Sequence, residues 1–431
     1  MSVTANPINQ GVLLSHAPNL FTVQETANAS NNQYRLVCKV LIGVNEIITL
    51  SRIPNNAGVA HFELREVLRQ TQAQQVALNP DSPNDRCSLH YMPAGDYPNR
   101  ENSISRNNIT GNVTIEFSET YLNSSGTPVE NAIDDFTVTV IHGALQFPKL
   151  EWPAINYQVV GAQADSRLAL PLNIRSGYKI PVKESDNGVV SFFMDSGQTA
   201  IGAFYKLKVS YYNVNNILLG SMTVNRLAEF IVADPTFAVQ HFGVYPDNLN
   251  RNNNAAITLK PSDFPNWAYY TFELLDRLTD DAITETITFE KECEGSYDNI
   301  RLGFGNNLGG WEYVNFDLRH REQLEVDRDE STKLPGTYNE SSFAYESHDR
   351  GLSIDNSTAR ERFTISTDID VNESQLTKAL MNSRDVVWLK ELNAPVAIRI
   401  TDRQIRVKKS GDRDYTTLTL QFEVAQKIYA A

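Results

Sequence analysis

Residues 34–44 read Tyr-Arg-Leu-Val-Cys-Lys-Val-Leu-Ile-Gly-Val, and this stretch decides the fold class. Leu36, Cys38 and Val40 recur at every second position, and the same face continues to Ile42. A period of two is typical of a β-strand, whose side chains alternate between two faces. Residues 46–53 repeat the pattern, and the turn Pro-Asn-Asn-Ala-Gly separates them from a further strand at 59–64. The stretch predicts antiparallel strands joined by short turns.

The same alternation continues on both sides of this stretch and predicts a first domain over residues 1–145. Residues 113–117 and 136–141 are further strands, and only residues 65–71 have the pattern of a short helix. Polar stretches rich in Asn, Ser, Asp and Pro, at 79–112 and 123–131, predict long loops. We therefore expect an N-terminal β-sandwich with elaborated loops.

A second domain is predicted over residues 146–235. Strands are expected at 167–174, 188–194, 204–212, 217–224 and 228–232. Polar turns such as Asn213-Val214-Asn215-Asn216 join them at a spacing near that of hairpins. This pattern predicts a second small antiparallel sandwich.

The third predicted domain covers residues 236–431, with an internal boundary near 298 as an alternative. Strands are expected at 283–289, 299–304, 311–318, 322–326, 362–366 and 396–400, and a terminal hairpin at 404–408 and 417–424. Asn372 is the predicted N-cap of a helix, with Gln375 completing a capping box and Leu376 and Leu380 on one face.

The predicted fold class is therefore mostly β: a multi-domain arrangement of antiparallel β-sandwiches with a C-terminal β-rich domain that carries one short amphipathic helix. No pattern of strands alternating with helices is present in the sequence, which argues against a Rossmann or TIM-barrel enzyme.

Composition excludes several classes of partner. The chain has 431 residues, with 38 Lys and Arg against 52 Asp and Glu, for a net charge of −14. Such an acidic protein repels phosphate backbones, so we expect no specific nucleic-acid binding. No apolar run approaches the ~18 residues of a membrane span, and the N-terminus lacks the pattern of a signal peptide. We therefore expect no membrane partner.

Patterns for metal or phosphate binding are incomplete. Cys38, Cys87 and Cys293 are widely spaced, and Cys87 with His90 has no second pair to complete a zinc site. Residues 368–379 imitate a calcium loop but lack its central Gly and its final Glu. The glycines of residues 303–310 precede a predicted strand, whereas a phosphate site needs a helix N-terminus there. We predict no cofactor and no metal ligand.

Acidic pairs offer the nearest approach to catalytic chemistry. A glycosidase needs two carboxyl groups across a cleft. Neighbouring residues on a strand point to opposite faces, so neither Asp134 with Asp135 nor Asp280 with Asp281 is predicted to form such a pair. Glu290, Glu292 and Glu294 are interpreted as a solvated face. We predict no catalytic residues and no enzymatic activity.

Residues 309–313 read Gly-Gly-Trp-Glu-Tyr, preceded by Cys293 and Asn307 and followed by Phe316. The glycines predict a tight turn with positive φ. The next strand then presents Trp311 and Tyr313 on one face and apolar residues on the other as well. Such a strand is expected to be enclosed within its domain or covered by a neighbouring subunit.

This motif resembles a pattern in large virion proteins of tailed phages infecting Bacteroidota, the crAss-like phages and their relatives. In those proteins an acidic residue and Cys precede Asn-x-x-Gly-Gly-Trp-Asp/Glu-Tyr-Phe-x-Phe. Here one residue separates Asn307 from the glycines, Phe304 stands where Trp is usual, and Val314 stands where Phe is usual. The openings at 18–23, 34–37 and 58–64 are similar too, as is an ending with a short helix at 383–389 and a final hairpin.

The resemblance implies a non-enzymatic virion component, made in the bacterial host cytoplasm, that assembles with itself and with other virion proteins into a tail, collar or connector ring. The long polar segments 79–112 and 327–359 are then expected to be ordered by neighbouring subunits. A receptor- or carbohydrate-binding tail protein is the alternative. A polysaccharide depolymerase is the third reading, and it needs an acidic pair in a cleft.

Overall fold

The computed structural model describes most of the chain. The described residues are 2–6, 12–14, 19–42, 44–71, 110–141, 169–171, 179–194, 205–225, 239–251, 258–276, 280–282, 284–293, 297–306, 309–332, 336–338, 341–344, 351–370, 374–383, 385–391, 394–402, 415–425 and 428–429. The chain divides into two compact units. The first comprises residues 1–294 and 304–313, and the second comprises residues 295–303 and 314–431.

Eight strands and one helix form the start of the first unit. They are β1 Ser2–Asn6, β2 Val12–Leu14, β3 Leu20–Gln24, β4 Asn32–Ile42, β5 Asn45–Arg52, β6 Val59–Glu63, α1 Arg65–Thr71, β7 Thr110–Leu122 and β8 Pro128–Ile141. One sheet has the order β2-β8-β7-β4-β5 and a smaller sheet has the order β1-β3-β6. The predicted strands of this region and the helix at 65–71 are confirmed.

The alternation of β4 explains the core between these sheets. Leu36, Cys38 and Val40 are fully buried, whereas Ile42 at the strand end is exposed. From the neighbouring strand β7 of the same sheet, Phe117 packs against Phe21 of the smaller sheet, with ring centroids 5.6 Å apart. Burying each such side chain contributes about 1.5–3 kcal/mol. The two sheets therefore form a sandwich closed by aromatic contacts.

Four turns of the first unit have the same geometry and each begins with an asparagine; three close hairpins, and the turn at Asn55 joins β5 to β6 of the other sheet. The turns begin at Asn55, Asn123, Asn213 and Asn306, and each asparagine N–H donates to the carbonyl oxygen four residues later. Each asparagine Oδ1 also accepts the N–H of that later residue. The fourth residue of each turn has positive φ: Gly58, Gly126, Asn216 and Gly309. Asparagine suits the first position because its side chain bonds to the backbone ahead of it.

A second group of elements completes the first unit. They are β9 Ala169–Pro171, β10 Lys179–Val182, β11 Val189–Met194, β12 Tyr205–Tyr212, β13 Leu218–Asn225, β14 Val239–Gly243, α2 Pro246–Asn250, a 3-10 turn Pro261–Asp263, β15 Tyr269–Asp276 and β16 Ile287–Lys291. Two sheets, β10-β16-β15-β12-β13 and β14-β11-β9, make a second sandwich. Phe192, Phe242 and Phe272 meet between them, with centroids 5.6–6.1 Å apart.

The larger of these sheets joins strands from both sides of residue 235, where the sequence analysis placed a domain boundary. The proposed domain limits stay predictions. The strand predicted at 283–289 begins at Ile287 instead. Two edge pairs, β10 with β16 and β2 with β8, are parallel rather than antiparallel. The predicted strand at 228–232 lies outside the described residues.

The last strands and one helix follow. They are β17 Ile300–Gly305, β18 Trp311–Phe316, β19 Arg321–Thr332, β20 Thr337–Tyr338, β21 Phe343–Ala344, β22 Leu352–Asp370, α3 Ser374–Asn382, β23 Val386–Glu391, β24 Ala394–Ile400, β25 Tyr415–Val424 and β26 Ile428–Tyr429. The sheet order is β18-β17-β23-β24-β25-β22-β19, with β26 also paired to β22. Phe363 stacks on Phe422 at 5.0 Å, and Trp388 contacts Phe363 at 5.1 Å.

The amphipathic helix predicted near 372–381 is confirmed as α3, which buries Leu376 and Leu380. Its predicted cap Asn372 and the strand predicted at 404–408 lie outside the described residues, as do residues 72–109.

One expected helix and two expected loops differ from the structure. The helix expected at 383–389 is strand β23, because Val386, Val387 and Trp388 favour a strand and are paired with apolar residues of β24. The polar segment 327–359 is strand at both ends, since β19 and β22 pair over 327–332 and 352–359, and its ordering by neighbouring subunits stays a prediction. Likewise β8 begins at Pro128, inside the predicted loop 123–131.

Candidate functional site

The Gly-Gly-Trp-Glu-Tyr motif lies in the interior. Trp311, Glu312 and Tyr313 are each buried to within a few per cent of complete burial, and Val314 and Phe316 are buried as well. A strand with large side chains on both faces was expected to be enclosed within its domain or covered by a neighbouring subunit. Enclosure within the chain is confirmed for β18. The positive φ expected at the glycines is present at Gly309.

Two backbone hydrogen bonds join the motif to strand β11 within the first unit. The Val189 N–H donates to Tyr313 Oη at 3.0 Å, and the Trp311 N–H donates to Ser191 Oγ at 3.3 Å. Both bonds are buried, where an unmatched N–H would cost about 1–3 kcal/mol. The Tyr313 hydroxyl therefore accepts a backbone N–H of β11 that would otherwise need an acceptor on a neighbouring strand.

Gly188 makes this packing possible. A Cβ at this position would lie 2.8 Å from Tyr313 Cε2 and 2.9 Å from Tyr245, too close for any side chain. The Gly188 N–H donates to Asn248 Oδ1 at 2.8 Å, and the rings of Tyr245 and Tyr313 meet edge to face at 5.1 Å. The glycine is required by crowding, since its φ is not positive.

Charged residues near this cluster bond within the chain. The Arg251 guanidinium pairs with Asp247 at 2.7 Å and also contacts Asn187. The Lys183 N–H donates to Asp186 Oδ2 at 2.9 Å, and the Asp247 N–H donates to the Asp186 carbonyl oxygen at 3.0 Å. These bonds fix the loop before β11 and the start of α2. The arrangement is a network of hydrogen bonds and one ion pair, partly exposed at Asp247 and Arg251.

Of the cysteines considered as ligands, Cys38 and Cys293 are described. Cys38 is buried in the first sandwich, and burial raises the pKa of its thiol to about 12, whereas Cys293 is exposed. Cys87 and His90 lie outside the described residues. His61 is exposed and contacts Thr22 at 3.0 Å. Within the described parts of the chain, no group of three His, Cys, Asp or Glu residues could hold a metal ion.

The acidic pairs lie on the surface. Asp134, Asp135, Asp280 and Asp281 are all exposed. Asp280 pairs with Lys206. On β16, Glu290 pairs with Lys179 at 2.8 Å. The described contacts of these groups are therefore mainly exposed ion pairs, which contribute little to stability.

Among the described strands, β19 of the second unit is both long and exposed along nearly its whole length. All of its side chains are exposed except that of Ser331, which is half-buried. The strand pairs with β22 from Arg321↔Thr364 to Thr332↔Leu352. Five acidic residues and two arginines lie along it. An exposed edge strand of this length is a template for pairing with another chain.

Apolar side chains are concentrated on one face of this ribbon. Leu324, Val326, Leu352 and Ile354 are all exposed. The pairing shifts register between Asp329 and Glu330, so that Ile354 lies opposite Glu330 and Leu352 opposite Thr332. Because side chains alternate and the bulge inserts one residue into β22, all four apolar residues fall on the same face. We call this set the apolar strip.

The strands predicted at 322–326 and 362–366 are confirmed as parts of β19 and β22, but the extension of the ribbon through 327–332 and 352–361 was not predicted. The spacing Leu324-x-Val326, which marks the predicted strand, is repeated as Leu352-x-Ile354 on the partner strand. A period of two over so few apolar residues is weak when the remaining positions are charged.

Comparisons with known proteins find no family and only low structural similarity. The sequence matches no known protein family and no curated protein. Among solved structures, trypsin-activated alpha-2-macroglobulin from Escherichia coli is 10% identical, with a TM-score of 0.20 over 97% of this chain and 23% of that chain. A Salmonella alpha-2-macroglobulin mutant is 9% identical, with a TM-score of 0.19 over 100% and 30%. A marsupial T cell receptor is 7% identical, with a TM-score of 0.17 over 100% and 99%.

This chain spans less than a quarter of the length of the E. coli protein. Separately, none of the described helices has both the length and the apolar character that crossing a membrane requires.

Proposed function

We propose that the protein is a non-enzymatic structural component of a tailed-phage virion, which assembles with itself and with other virion proteins into a tail, collar or connector ring. The observation that carries this proposal is the exposed ribbon of β19 and β22. Natural proteins keep sheet edges short, covered, interrupted or charged, because open edges associate. The edge strand β19 is charged, but it is twelve residues long and its face carries exposed apolar residues of the apolar strip.

The burial of the Gly-Gly-Trp-Glu-Tyr motif also supports the proposal. The residues that carry the resemblance to phage virion proteins, Trp311 and Tyr313, form core contacts and hydrogen bonds to β11. These residues stabilise the fold. A buried motif of this kind suits a structural protein, whose contacts with partners are made by other, exposed residues.

The test is the state of association of the full chain. Light scattering should give a mass of several copies, and negative-stain electron microscopy should show closed rings, since head-to-tail interfaces that close produce cyclic symmetry. Antibody labelling of purified phage particles should place the protein in the virion. A protein that stays monomeric at high concentration and is absent from particles would contradict the proposal.

A receptor- or carbohydrate-binding role is the second candidate, because one aromatic pair suits sugar stacking. Tyr212 and Tyr269 stack with centroids 4.8 Å apart and an interplanar angle of 8°, and both are partly exposed. The adjoining turn exposes Val214 and Ile217. A glycan array would support this role if binding were lost in Tyr269→Ala and kept in Tyr297→Ala, a matched exposed tyrosine.

A further inference from the structure

We infer that β19 pairs antiparallel with the β19 of a second copy of this chain, in the register that places Glu325 opposite its own copy. The inference rests on the proposed function, since it specifies one contact by which copies would associate. Among the described residues, β19 ends the sheet order and has a strand partner, β22, on one side only. Strand addition at such an edge forms backbone hydrogen bonds and takes its specificity from the side chains.

Alternation limits how two copies of β19 can pair. A parallel pairing of the same edge would turn the two apolar strips to opposite faces of the sheet, whereas an antiparallel pairing about a twofold axis keeps them on one face. Residues opposite each other share a face, so even-numbered residues must face even-numbered ones. The antiparallel registers that meet this condition and pair at least nine residues have Glu325, Val326, Asp327 or Arg328 at the axis.

Charge distinguishes these registers. With Glu325 at the axis, Arg321 faces Asp329 and Glu322 faces Arg328, and symmetry forms each of these opposite-charge pairs twice. In the other three registers no opposite charges face each other, and each places acidic residues opposite acidic residues. Charged residues commonly protect a sheet edge from pairing. On β19 they oppose three registers and favour one.

The one like-charge contact in the favoured register is offset within each copy. Glu325 faces its own copy across the axis, and like charges in that position destabilise a sheet. In each copy, however, the Glu325 carboxylate pairs with the Arg362 guanidinium of β22 at 2.9 Å. Two arginines therefore lie beside the two glutamates at the centre of the contact.

The apolar strip selects the same register. With Glu325 at the axis, Leu324 of each copy faces Val326 of the other. Both side chains are exposed in the single chain, Leu324 at 63% and Val326 at 39%. Pairing brings the strips of the two copies together at the axis and removes apolar surface from water. Ionic and apolar contacts thus agree on one arrangement.

The resulting contact is isologous, because the same surface of both copies forms it, and it closes with two copies. A ring, collar or connector therefore needs a further contact between such pairs, and the pair is its building block.

Charge exchange on the full chain tests the pairing. Arg328→Glu or Glu322→Arg alone should raise the dissociation constant of the pair by about 10–100-fold in sedimentation velocity, since two opposite-charge contacts become like-charge contacts. The double variant, Glu322→Arg with Arg328→Glu, restores opposite charges and the wild-type net charge, and should pair as the wild type does. Arg52→Glu, on an exposed residue of β5, is the matched control and should have no effect.

Cross-linking tests the register independently of affinity. In a Cys87→Ser, Cys293→Ser background, Glu325→Cys should join two chains through a short bis-maleimide, because the two residues face each other at the axis. Asp329→Cys lies on the same face but is about 26 Å from its own copy, so it should not cross-link. Circular dichroism establishes that each variant folds.

If the wild type assembles but the single variants match it, or the double variant is not restored, or Asp329→Cys cross-links as readily as Glu325→Cys, this pairing is overturned and the structural role stands. A wild type that pairs as inferred, yet forms no larger assembly and is absent from phage particles, would support the pairing and contradict the proposed function. A wild type that stays monomeric overturns both.

Discussion

Strands β18 and β19 follow each other in the chain with only residues 317–320 between them, yet their environments are opposite. β18 has side chains buried on both faces, whereas β19 is exposed along nearly its whole length. Their compositions match this difference: β18 contains one charged residue, Glu312, and β19 contains seven. Both are regular β-strands, so backbone hydrogen bonding alone does not determine whether the side chains of a strand are buried or exposed.

The difference separates folding from association. Burial of the β18 aromatics removes apolar surface from water, so this strand should contribute strongly to the free energy of unfolding. β19 buries little and should contribute little, which leaves its sequence free to serve an interface. Changes in β18 should therefore affect stability, and changes in β19 should affect assembly.

The largest expected effect is that of truncating a motif aromatic. Tyr313→Ala should lower the free energy of unfolding by about 3–5 kcal/mol, because a large buried side chain leaves a cavity. Tyr313→Phe should cost about 1–3 kcal/mol, since the buried Val189 N–H loses its acceptor. Urea denaturation measures both. Leu324→Ala on β19 is the exposed control. If it lowered the free energy of unfolding by more than Tyr313→Phe does, the proposed difference between β18 and β19 would be contradicted.

Thiol reactivity extends the same contrast to the first sandwich. In a Cys87→Ser background at pH 8, the buried Cys38 should react with a thiol reagent on the order of 1,000-fold more slowly than the exposed Cys293, because its raised pKa leaves little thiolate. In urea the two thiols should react alike. Fast labelling of Cys38 in the folded protein would mean that the β4 face opens to solvent.

Crowding around the motif gives a smaller effect. Gly188→Ala should cost about 1–3 kcal/mol, because the added methyl group meets the rings of Tyr245 and Tyr313. The control is Gly126→Ala, whose Cβ would meet nothing within 4 Å and whose cost should be only the ~1–2 kcal/mol of a positive φ. If Gly188→Ala were neutral, the enclosure of β18 would be looser than its contacts indicate.

The smallest effect belongs to β19. Glu325 pairs with Arg362 at 2.9 Å on an exposed surface, so Glu325→Gln should change the free energy of unfolding by less than about 1 kcal/mol. The difference should vanish in 1 M salt, where the Debye length is about 3 Å. A larger loss that persisted in salt would show that β19 stabilises the monomer.

Apolar alternation accounts for the parts of the fold that could be predicted. The β4 face of Leu36, Cys38 and Val40 and the mostly-β class are readable because one side chain in two is apolar. The enclosure of Trp311 and Tyr313 was left open between two explanations, because the sequence does not show that β11 supplies the covering surface.

Long-range pairing and charged strands could not be predicted in this way. The parallel pair of β10 with β16 joins residues about a hundred positions apart, and no local pattern encodes it. Strands were predicted at 322–326 and 362–366, inside β19 and β22, but the rest of the ribbon, at 327–332 and 352–359, was interpreted as part of a long polar segment because its charges obscure the period of two. The extent of the candidate surface was therefore missed for the same reason that it suits association, since it is polar, extended and uncovered.

Sedimentation velocity over a concentration series, with wild type compared to Leu324→Lys with Val326→Lys, tests the central claim most directly. These substitutions place charge on the apolar strip and should leave the urea midpoint of the monomer unchanged. The separation of folding from association predicts that the wild type sediments as an assembly and the variant as a folded monomer. Identical sedimentation of the two proteins, or loss of folding in the variant, would contradict it.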